Sequence, residues 1–226
     1  MTPQEYSKAI VTISKEKLAT LPAAVYTGKI ELIDNTDKLN AAIDTLKKSS
    51  IIGFDTETRP SFRRGLQHKV SLIQLATPGQ CFLFRTNLIG FPKELMEILE
   101  NPDLLKVGLS THDDFHNLRK IEENKDFEPQ GFIDLQAFVK NFKIADNSLS
   151  RVYGILFGER ISKGQRLTNW EAAELTQSQQ EYAALDAFAC INIYNYLSEG
   201  KFNPKDSEYL TLPPEPEPQM EETNEN

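Results

Sequence analysis

The stretch that most restricts the fold is the long apolar segment LTQSQQEYAALDAFACINIYNYLSEG, residues 175–200. Thr176 and Gln179 have the spacing of a capping box, and Gly200 follows the last apolar residues, so we predict one continuous helix. Apolar side chains occupy nearly every side of this helix, whereas a surface helix keeps a polar face. We therefore expect the helix to be largely buried.

The first half of the chain has the pattern of strands. The segments SIIGFDTE (50–57), KVSLIQLAT (69–77) and QCFLFR (80–85) have strand character, and Pro78-Gly79 predicts a turn between the last two. Three adjacent strands with short connections favour an antiparallel meander. Helix and strand patterns alternate after it, so the sequence predicts one α/β domain with a mixed sheet.

The charge of the chain is concentrated at its carboxyl end. The chain has 226 residues and a net charge of −8, and the segment PPEPEPQMEETNEN (213–226) contains five Glu and no base. The rest of the chain carries −3, so we do not expect strong non-specific binding to duplex nucleic acid. We divide the chain into a polar lead-in (1–29), the α/β domain (30–200) and a disordered Pro- and Glu-rich tail (201–226).

Hydropathy and cysteine usage predict the compartment. No apolar run approaches the ~20 residues of a membrane span, and the amino-terminal segment lacks the apolar core of a secretory signal. Cys81 and Cys190 lie inside apolar runs without a CxxC motif, which favours buried free thiols over a disulfide or a metal site. We expect a cytoplasmic protein with no membrane partner.

Asp55 and Glu57 end the first predicted strand of the meander. Residues two apart in a strand point to the same face. Two carboxylates held this close repel each other and raise each other's pKa unless a cation lies between them. Local evidence favours a solvated turn at the strand end, with half of a metal site as the alternative.

A second acidic pair, Asp113 and Asp114, begins a predicted helix. Asp114 shares a helical stripe with Leu118 and Ile121, whereas Asp113 falls off that stripe. An acid on an apolar stripe needs a partner. Either acid can cap the helix, and one can do so while the other reaches inward.

Asp186 lies within the apolar helix, one turn after Tyr182. No base lies within a helical turn of it, so this carboxylate needs a distant cation. We interpret Asp134 as structural, capping the helix that follows it or orienting a neighbour. Four of these acids lie on three predicted elements: Asp55, Glu57, Asp114 and Asp186. Together they indicate an all-oxygen cation site, which suits Mg²⁺ or Mn²⁺ rather than zinc.

The motifs FDTET, VGLSTHDD and YAALD resemble, in this order, the three exonuclease motifs of the DEDD superfamily of 3′→5′ exonucleases, in its tyrosine-bearing branch. The flanking blocks KVSLIQLAT and KGQRLTNWEAAELTQSQQEYAALDAFACINIY resemble ribonuclease D and Werner-type exonuclease domains. The resemblance implies a ribonuclease H-like fold, with a five-stranded mixed sheet flanked by helices. It also implies hydrolysis of single-stranded nucleic acid or of a DNA or RNA 3′ end, with release of nucleoside 5′-monophosphates.

The resemblance assigns roles to individual residues. It implies two divalent cations, Mg²⁺ or Mn²⁺, the first held by Asp55, Glu57 and Asp186, and the second by Asp114 together with Asp55. Tyr182 would hydrogen-bond the attacking water. Three further residues are expected to contact the substrate: Thr56, Thr58 and Arg166. For Arg166, a solvated loop cation is an equally good interpretation.

Two other functions compete with this one. A nucleic-acid-binding or scaffold module on the same fold would need little catalysis, but all five motif residues are present. The HDD run (112–114) suggests a histidine/aspartate phosphohydrolase, which needs several His on an all-helical fold. The chain has only three His, and its first half has strand patterns.

Overall fold

The computed structural model describes residues 1–63, 65, 67–121 and 126–213. The strands in these ranges are β1 (Ile10–Val11), β2 (Lys29–Ile33), β3 (Ile51–Thr58), β4 (Val70–Ala76), β5 (Gln80–Phe84), β6 (Leu105–Gly108), β7 (Phe132–Asp134) and β8 (Leu210–Thr211). The helices are α1 (Pro3–Lys8), α2 (Lys15–Thr20), α3 (Thr36–Leu46), α4 (Thr86–Ile89), α5 (Lys93–Glu100), α6 (His112–Leu118), α7 (Leu135–Phe138), α8 (Leu149–Phe157) and α9 (Gln177–Ser198).

A mixed six-stranded sheet in the order β2-β5-β4-β3-β6-β7 forms the centre of the fold. The predicted meander is confirmed, because β3, β4 and β5 pair antiparallel. The other pairs, β2 with β5, β3 with β6 and β6 with β7, are parallel. The predicted α/β class with a mixed sheet flanked by helices is therefore confirmed.

The sheet has one strand more than the five that the resemblance implies. The additional strand, β2, pairs in parallel with β5 at the edge of the sheet and begins within the predicted lead-in. Its sequence KIELI is short and largely half-buried, as is usual for an edge strand. A five-residue pattern of this kind carries a weak periodic signal, so the strand is hard to recognise without its partner.

Helices cover both faces of the sheet. Side chains alternate along β3, so Ile51 points to one face and Ile52 to the other. The Ile51 face packs against α8 and α9. The Ile52 face packs against α3 and α5 and also contacts the end of α6 at Leu118. The polar end of β3 is thus held between two apolar layers.

Helix α9 confirms the prediction of one continuous, largely buried helix. Both hydrogen bonds of the capping box between Thr176 and Gln179 are present. The helix crosses β3 so closely that a Cβ added at Gly53 would lie 1.9 Å from the carbonyl oxygen of Ala187. This contact brings the segment around Asp186 over the polar end of β3.

The prediction of a simple polar lead-in is wrong, because residues 1–29 contribute to the core. Val11 and Ile13 are fully buried, and Asp146 accepts hydrogen bonds from Thr12 Oγ1 and from the N–H of Ile13, both at 2.9 Å. A two-residue strand is too short for its sequence to show a period, and its partner is remote in the chain.

The carboxyl-terminal segment also folds further than predicted. Strand β8 pairs antiparallel with β1, so a disordered tail that begins at residue 201 is wrong for residues 201–213. The prediction for the acidic residues 214–226 lies outside the described residues.

The cysteine prediction is confirmed, since Cys81 and Cys190 are both buried and free. None of the helices within the described ranges combines the length and apolar character that a membrane crossing requires.

Candidate active site

Three of the predicted acids come together where α9 crosses β3. Asp55, Glu57 and Asp186 each present one carboxylate oxygen, and these oxygens all lie within 4.8 Å of one another. Asp55 and Glu57 lie on the β3 face that packs against α9, as their two-residue spacing predicts. We refer to these three residues as the acid cluster.

Asp114 approaches β3 from α6 and lies outside the acid cluster. Its Oδ1 accepts a hydrogen bond from the hydroxyl of Thr56. Its charge still raises the pKa values of Asp55 and Glu57, so it belongs to the same electrostatic site. Thr56, predicted as a substrate contact, therefore positions Asp114, a role that its place between the two acids of β3 did not suggest.

The turn into α6 is stabilised by a distant carboxylate. Asp134, at the end of β7, accepts hydrogen bonds from the N–H groups of Ser110 and Thr111, at 3.0 and 3.1 Å, and caps α7. The N-cap of α6 is Thr111 rather than Asp113 or Asp114, and its side chain forms no capping hydrogen bond. The tertiary contact replaces the local cap.

Burial and mutual repulsion raise the pKa values of these carboxyl groups. For Glu57, burial is the main cause and the charges of Asp186 and Asp114 add to it, which raises its pKa to about 9. Burial raises the pKa of Asp186 to about 7 and that of Asp114 to about 6. Burial, followed by the charges of the other three acids, raises the pKa of Asp55 well above its usual range. Raised pKa values of this kind are typical of functional sites.

Tyr182 lies beside Asp186 on the same face of α9. Burial, together with the nearby carboxylates, raises the pKa of its hydroxyl far above the ordinary value. The phenol is therefore neutral at physiological pH and can donate a hydrogen bond to an oxygen at the site.

Two bases of the loop before α9 act on the acid cluster. The charge of Arg166 lowers the pKa of Glu57, and the charge of Lys163 lowers that of Asp186. Arg166 was expected at the site, whereas the prediction missed Lys163. Its signal was available in the sequence, because SKGQR carries two bases three residues apart in the block that resembles the exonucleases.

Two cavities meet at Tyr182. The first, of about 150 Å³, is lined by Asp55, Asp186, Lys163 and the hydroxyl-bearing residues Ser148, Ser150 and Ser162, among others. The second, of about 280 Å³, lies between the amino-terminal segment at Val25-Tyr26 and the start of α9. The first cavity leaves space for a ligand beside the acid cluster, and the amino-terminal segment lines part of the second.

Gln74 is a further polar residue at the site that the prediction missed. It pairs with Asp55 in the β3–β4 register and is completely buried. Within the described residues, neither atom of its side-chain amide has a hydrogen-bond partner. A glutamine in the largely apolar strand VSLIQLA is an anomaly of the same kind as Asp186, so the sequence did contain this signal.

Two further residues near the site are Thr58, predicted as a substrate contact, and Trp170. Thr58 is the last residue of β3, half-buried, and follows a shift in register with β4. Trp170 is fully buried in the core next to Tyr182, with ring centroids 6.1 Å apart, so it is a packing residue.

The acid cluster fits a divalent cation. Its ligands are all carboxylate oxygens, which hard cations prefer, and they are close enough to share one ion. In the absence of a cation, their repulsion and burial oppose ionisation, and the unpaired amide of Gln74 adds a further unsatisfied group. The residues present therefore match a site for a divalent cation better than a structural ion pair.

Comparison with known proteins agrees with this geometry. Residues 30–200 match the family described as 3′-5′ exonuclease. The chain is 30% identical over 158 residues to the bifunctional 3′-5′ exonuclease/ATP-dependent helicase WRN of Mus musculus. The aligned region covers 67% of this chain and 11% of that protein. The chain is also 27% identical over 212 residues to a 3′-5′ exonuclease of Arabidopsis thaliana. This aligned region covers 83% of this chain and 69% of that protein.

The fold is similar to a solved structure of the same class. The Aedes aegypti Nibbler EXO domain superposes with a TM-score of 0.71 at 24% identity, over 81% of this chain and 96% of that one. At this identity the likeness supports the fold alone, while the sequence match over residues 30–200 identifies the family. The chain belongs to the 3′-5′ exonuclease family, whose members are hydrolases of nucleic acid that use divalent metal ions.

Proposed function

We propose that this chain is a 3′→5′ exonuclease of the tyrosine-bearing DEDD branch. It removes nucleotides one at a time from the 3′ end of single-stranded DNA or RNA and releases nucleoside 5′-monophosphates. The observation that carries the proposal is the convergence of three carboxylates, one half-buried and two buried, within 4.8 Å at the crossing of α9 and β3, with Asp114 close by.

The acids provide ligands for two divalent cations, Mg²⁺ or Mn²⁺. Asp55, Glu57 and Asp186 would hold one ion, and Asp114, positioned by Thr56, would hold the other together with Asp55. When bound, such ions acidify a water molecule and stabilise the attacking and leaving oxygens of a phosphodiester.

Tyr182 orients the attacking water. Its raised pKa makes the phenol a poor base at neutral pH, so its contribution is a hydrogen bond that holds the water in line with the scissile phosphate. Lys163 and Arg166 lie in the loop before α9, near Asp186 and Glu57. They bring positive charge toward the phosphates of an approaching strand. Four carboxylates and two divalent cations sum to about zero, which permits an anionic substrate despite the net charge of −8.

A digestion series with product analysis tests the proposal. Single-stranded DNA and RNA oligonucleotides are incubated with Mg²⁺, Mn²⁺ or EDTA, and the products are separated by chromatography. We expect nucleoside 5′-monophosphates in the metal-containing reactions and intact substrate in EDTA. Nucleoside 3′-monophosphates, or equal digestion in EDTA, would contradict the proposed chemistry.

A catalytically weak nucleic-acid-binding or scaffold module is the second candidate. The same series distinguishes it, since such a module would bind the oligonucleotides without shortening any of them in either metal. The Asp186→Asn variant serves as the control for contaminating nucleases, because it keeps the size of the side chain but removes its charge.

A further inference from the structure

The loop between β3 and β4 has an unusual composition for this chain. The segment RPSFRRGLQHK (59–69) contains four Lys or Arg and no acid, although the whole chain carries −8. It begins two residues after Glu57, a member of the acid cluster. A positively charged loop next to the proposed phosphodiester-binding site is suited to contact a polyanion.

The loop presents an aromatic ring to solvent. Phe62 is 84% exposed, although a phenylalanine without a partner is normally turned inward. A cavity beneath the loop is lined by Arg59, Phe62, Arg63 and His68, among others. An exposed aromatic ring next to arginines is the combination that binds single-stranded nucleic acid, through stacking on bases and contacts to phosphates.

Both ends of the loop are held by one carboxylate. Glu171 accepts a hydrogen bond from Arg59 Nη1 through Oε2, at 3.1 Å, and contacts His68 Nδ1 through Oε1, at 3.0 Å. The two contacts hold the two ends of the loop together, while Phe62 between them stays exposed.

The segment that carries Glu171 is itself fixed. The buried guanidinium of Arg85 donates hydrogen bonds to the carbonyl groups of Ala172 and Ala173. The loop is therefore anchored through Glu171 to the sheet, and a ring on an anchored loop loses less conformational freedom when it binds a base.

We propose that Arg59, Phe62 and Arg63 form a binding strip for the substrate strand, in which Phe62 stacks on a base and Arg63 contacts a backbone phosphate. Phe62 is five residues from Glu57, so the strip lies within about 17 Å of the acid cluster along an extended backbone. The strip binds the strand on its way to the acids. The inference rests on the proposed exonuclease function and adds the path of the substrate to it.

Binding without hydrolysis tests the strip. Fluorescence anisotropy is measured in EDTA with 5′-fluorescein-labelled ten-nucleotide oligo-dT and oligo-U, for the wild type, Phe62→Ala and Phe62→Trp. Loss of one stacked base weakens binding by roughly 5- to 100-fold, so we expect this loss in Phe62→Ala and near-normal affinity in Phe62→Trp. The two oligonucleotides show whether the strip distinguishes DNA from RNA.

The arginine has a separate readout. Removal of one phosphate contact reduces the slope of log affinity against log salt by about 0.7 for a single strand, so Arg63→Ala should show this change whereas Phe62→Ala should not. Leu212→Ala is the matched control, because Leu212 is also an exposed apolar residue, at 45%, near the carboxyl end of the described chain. We expect it to bind as the wild type does.

A small substrate separates failure of the strip from failure of the proposed function. The p-nitrophenyl ester of thymidine 5′-monophosphate carries a single nucleotide, so it lacks the neighbouring base and phosphate that the strip is proposed to bind. Equal hydrolysis of this ester by the wild type and Phe62→Ala, together with weaker oligonucleotide binding by the variant, supports the strip. Wild-type affinity in Phe62→Ala would overturn the strip whether or not the ester is hydrolysed. No hydrolysis of ester or oligonucleotide by the wild type would overturn the exonuclease proposal, and Phe62-dependent binding would then still support the strip.

Discussion

Asp55 experiences the charges of all the other site acids. Asp186, Asp114 and Glu57 each raise its pKa, in addition to the effect of burial. In the metal-free protein, this carboxylate is thus a source of repulsion, whereas in the proposed metal-bound protein it would be a ligand. One residue therefore has opposite effects on stability and on activity.

We predict that Asp55→Asn abolishes hydrolysis without loss of stability in the absence of metal. The amide has the size of the carboxylate but carries no charge, so its melting temperature in EDTA should equal or exceed that of the wild type. Differential scanning fluorimetry with and without Mn²⁺ measures both effects, since the variant should also lose most of the stabilisation by metal. Asp113→Asn, at an exposed acid outside the acid cluster, should behave as the wild type. Wild-type activity in Asp55→Asn would refute the metal assignment.

We predict a different result for Tyr182→Phe. The variant loses only the hydroxyl that orients the water, so turnover should fall by roughly 10- to 100-fold while the Mn²⁺ affinity stays within about twofold. Single-turnover kinetics and isothermal titration calorimetry measure the two quantities. An equal loss of turnover and metal affinity would instead assign Tyr182 to packing around the acid cluster.

Charged residues in apolar surroundings, and like charges placed side by side, were predictable from the sequence. Asp186 in an apolar helix and the Asp55–Glu57 pair at a strand end are costly without a partner, and this cost is visible in the sequence. Partners supplied by tertiary contacts were not predictable. Neither the hydrogen bond from Thr56 to Asp114 nor the approach of Lys163 to Asp186 has a local pattern.

At the scale of elements, the site depends on how closely α9 lies on β3. A Cβ at Gly53 would overlap the backbone of α9, since the carbonyl oxygen of Ala187 lies 1.9 Å from its position. Backbone atoms cannot move aside as the end of a flexible side chain can. The acid cluster therefore requires a glycine two residues before Asp55.

We predict that Gly53→Ala lowers the free energy of unfolding by at least ~2 kcal/mol and reduces activity of the folded fraction. The helix must move away from β3, which separates Asp186 from Asp55 and Glu57. Chemical denaturation and hydrolysis rates per folded molecule measure the two effects. Gly79→Ala is the matched control, because a Cβ there meets no atom within 4 Å and should cost little. Equal stability of the two variants would contradict the close packing of α9.

Elements with local signals were predictable, and elements made by distant partners were not. The capping box, the apolar helix and the β3–β4–β5 meander all have contiguous patterns, and the structure contains each of them. In contrast, β1 and β8 are two residues long and pair across nearly the whole chain. The edge strand β2 has only five residues, too few to show a clear period. Only its pairing with β5 identifies it as a strand.

At the scale of the molecule, the buried acids couple stability to pH and to metal. The folded-state pKa values of about 9 for Glu57, 7 for Asp186 and 6 for Asp114 exceed the ~4 of an unfolded chain. The unfolded protein therefore loses these protons at lower pH than the folded protein. Their contribution to stability is fully present below pH ~4 and is lost as the pH rises through the folded values.

We predict that the metal-free protein becomes less stable between pH 5 and pH 9, and that saturating Mg²⁺ or Mn²⁺ offsets most of this loss. Melting temperatures in EDTA and in metal measure the difference. In Asp186→Asn, one of the titrating groups is gone, so the pH dependence in EDTA should be weaker than in the wild type. Parallel curves for the two proteins would show that other groups govern the pH dependence.

The position of a label tests most directly whether the acid cluster hydrolyses nucleic acid from the 3′ end. The same oligonucleotide is labelled at its 5′ end or its 3′ end and digested in Mn²⁺ by the wild type and by Asp55→Asn. We predict that the 5′-labelled strand shortens in steps of one nucleotide, that the 3′-labelled strand releases a labelled mononucleotide in the first turnover, and that the variant does neither. Internal fragments, release of a mononucleotide from the 5′ end, or intact strands with the wild type would contradict the account.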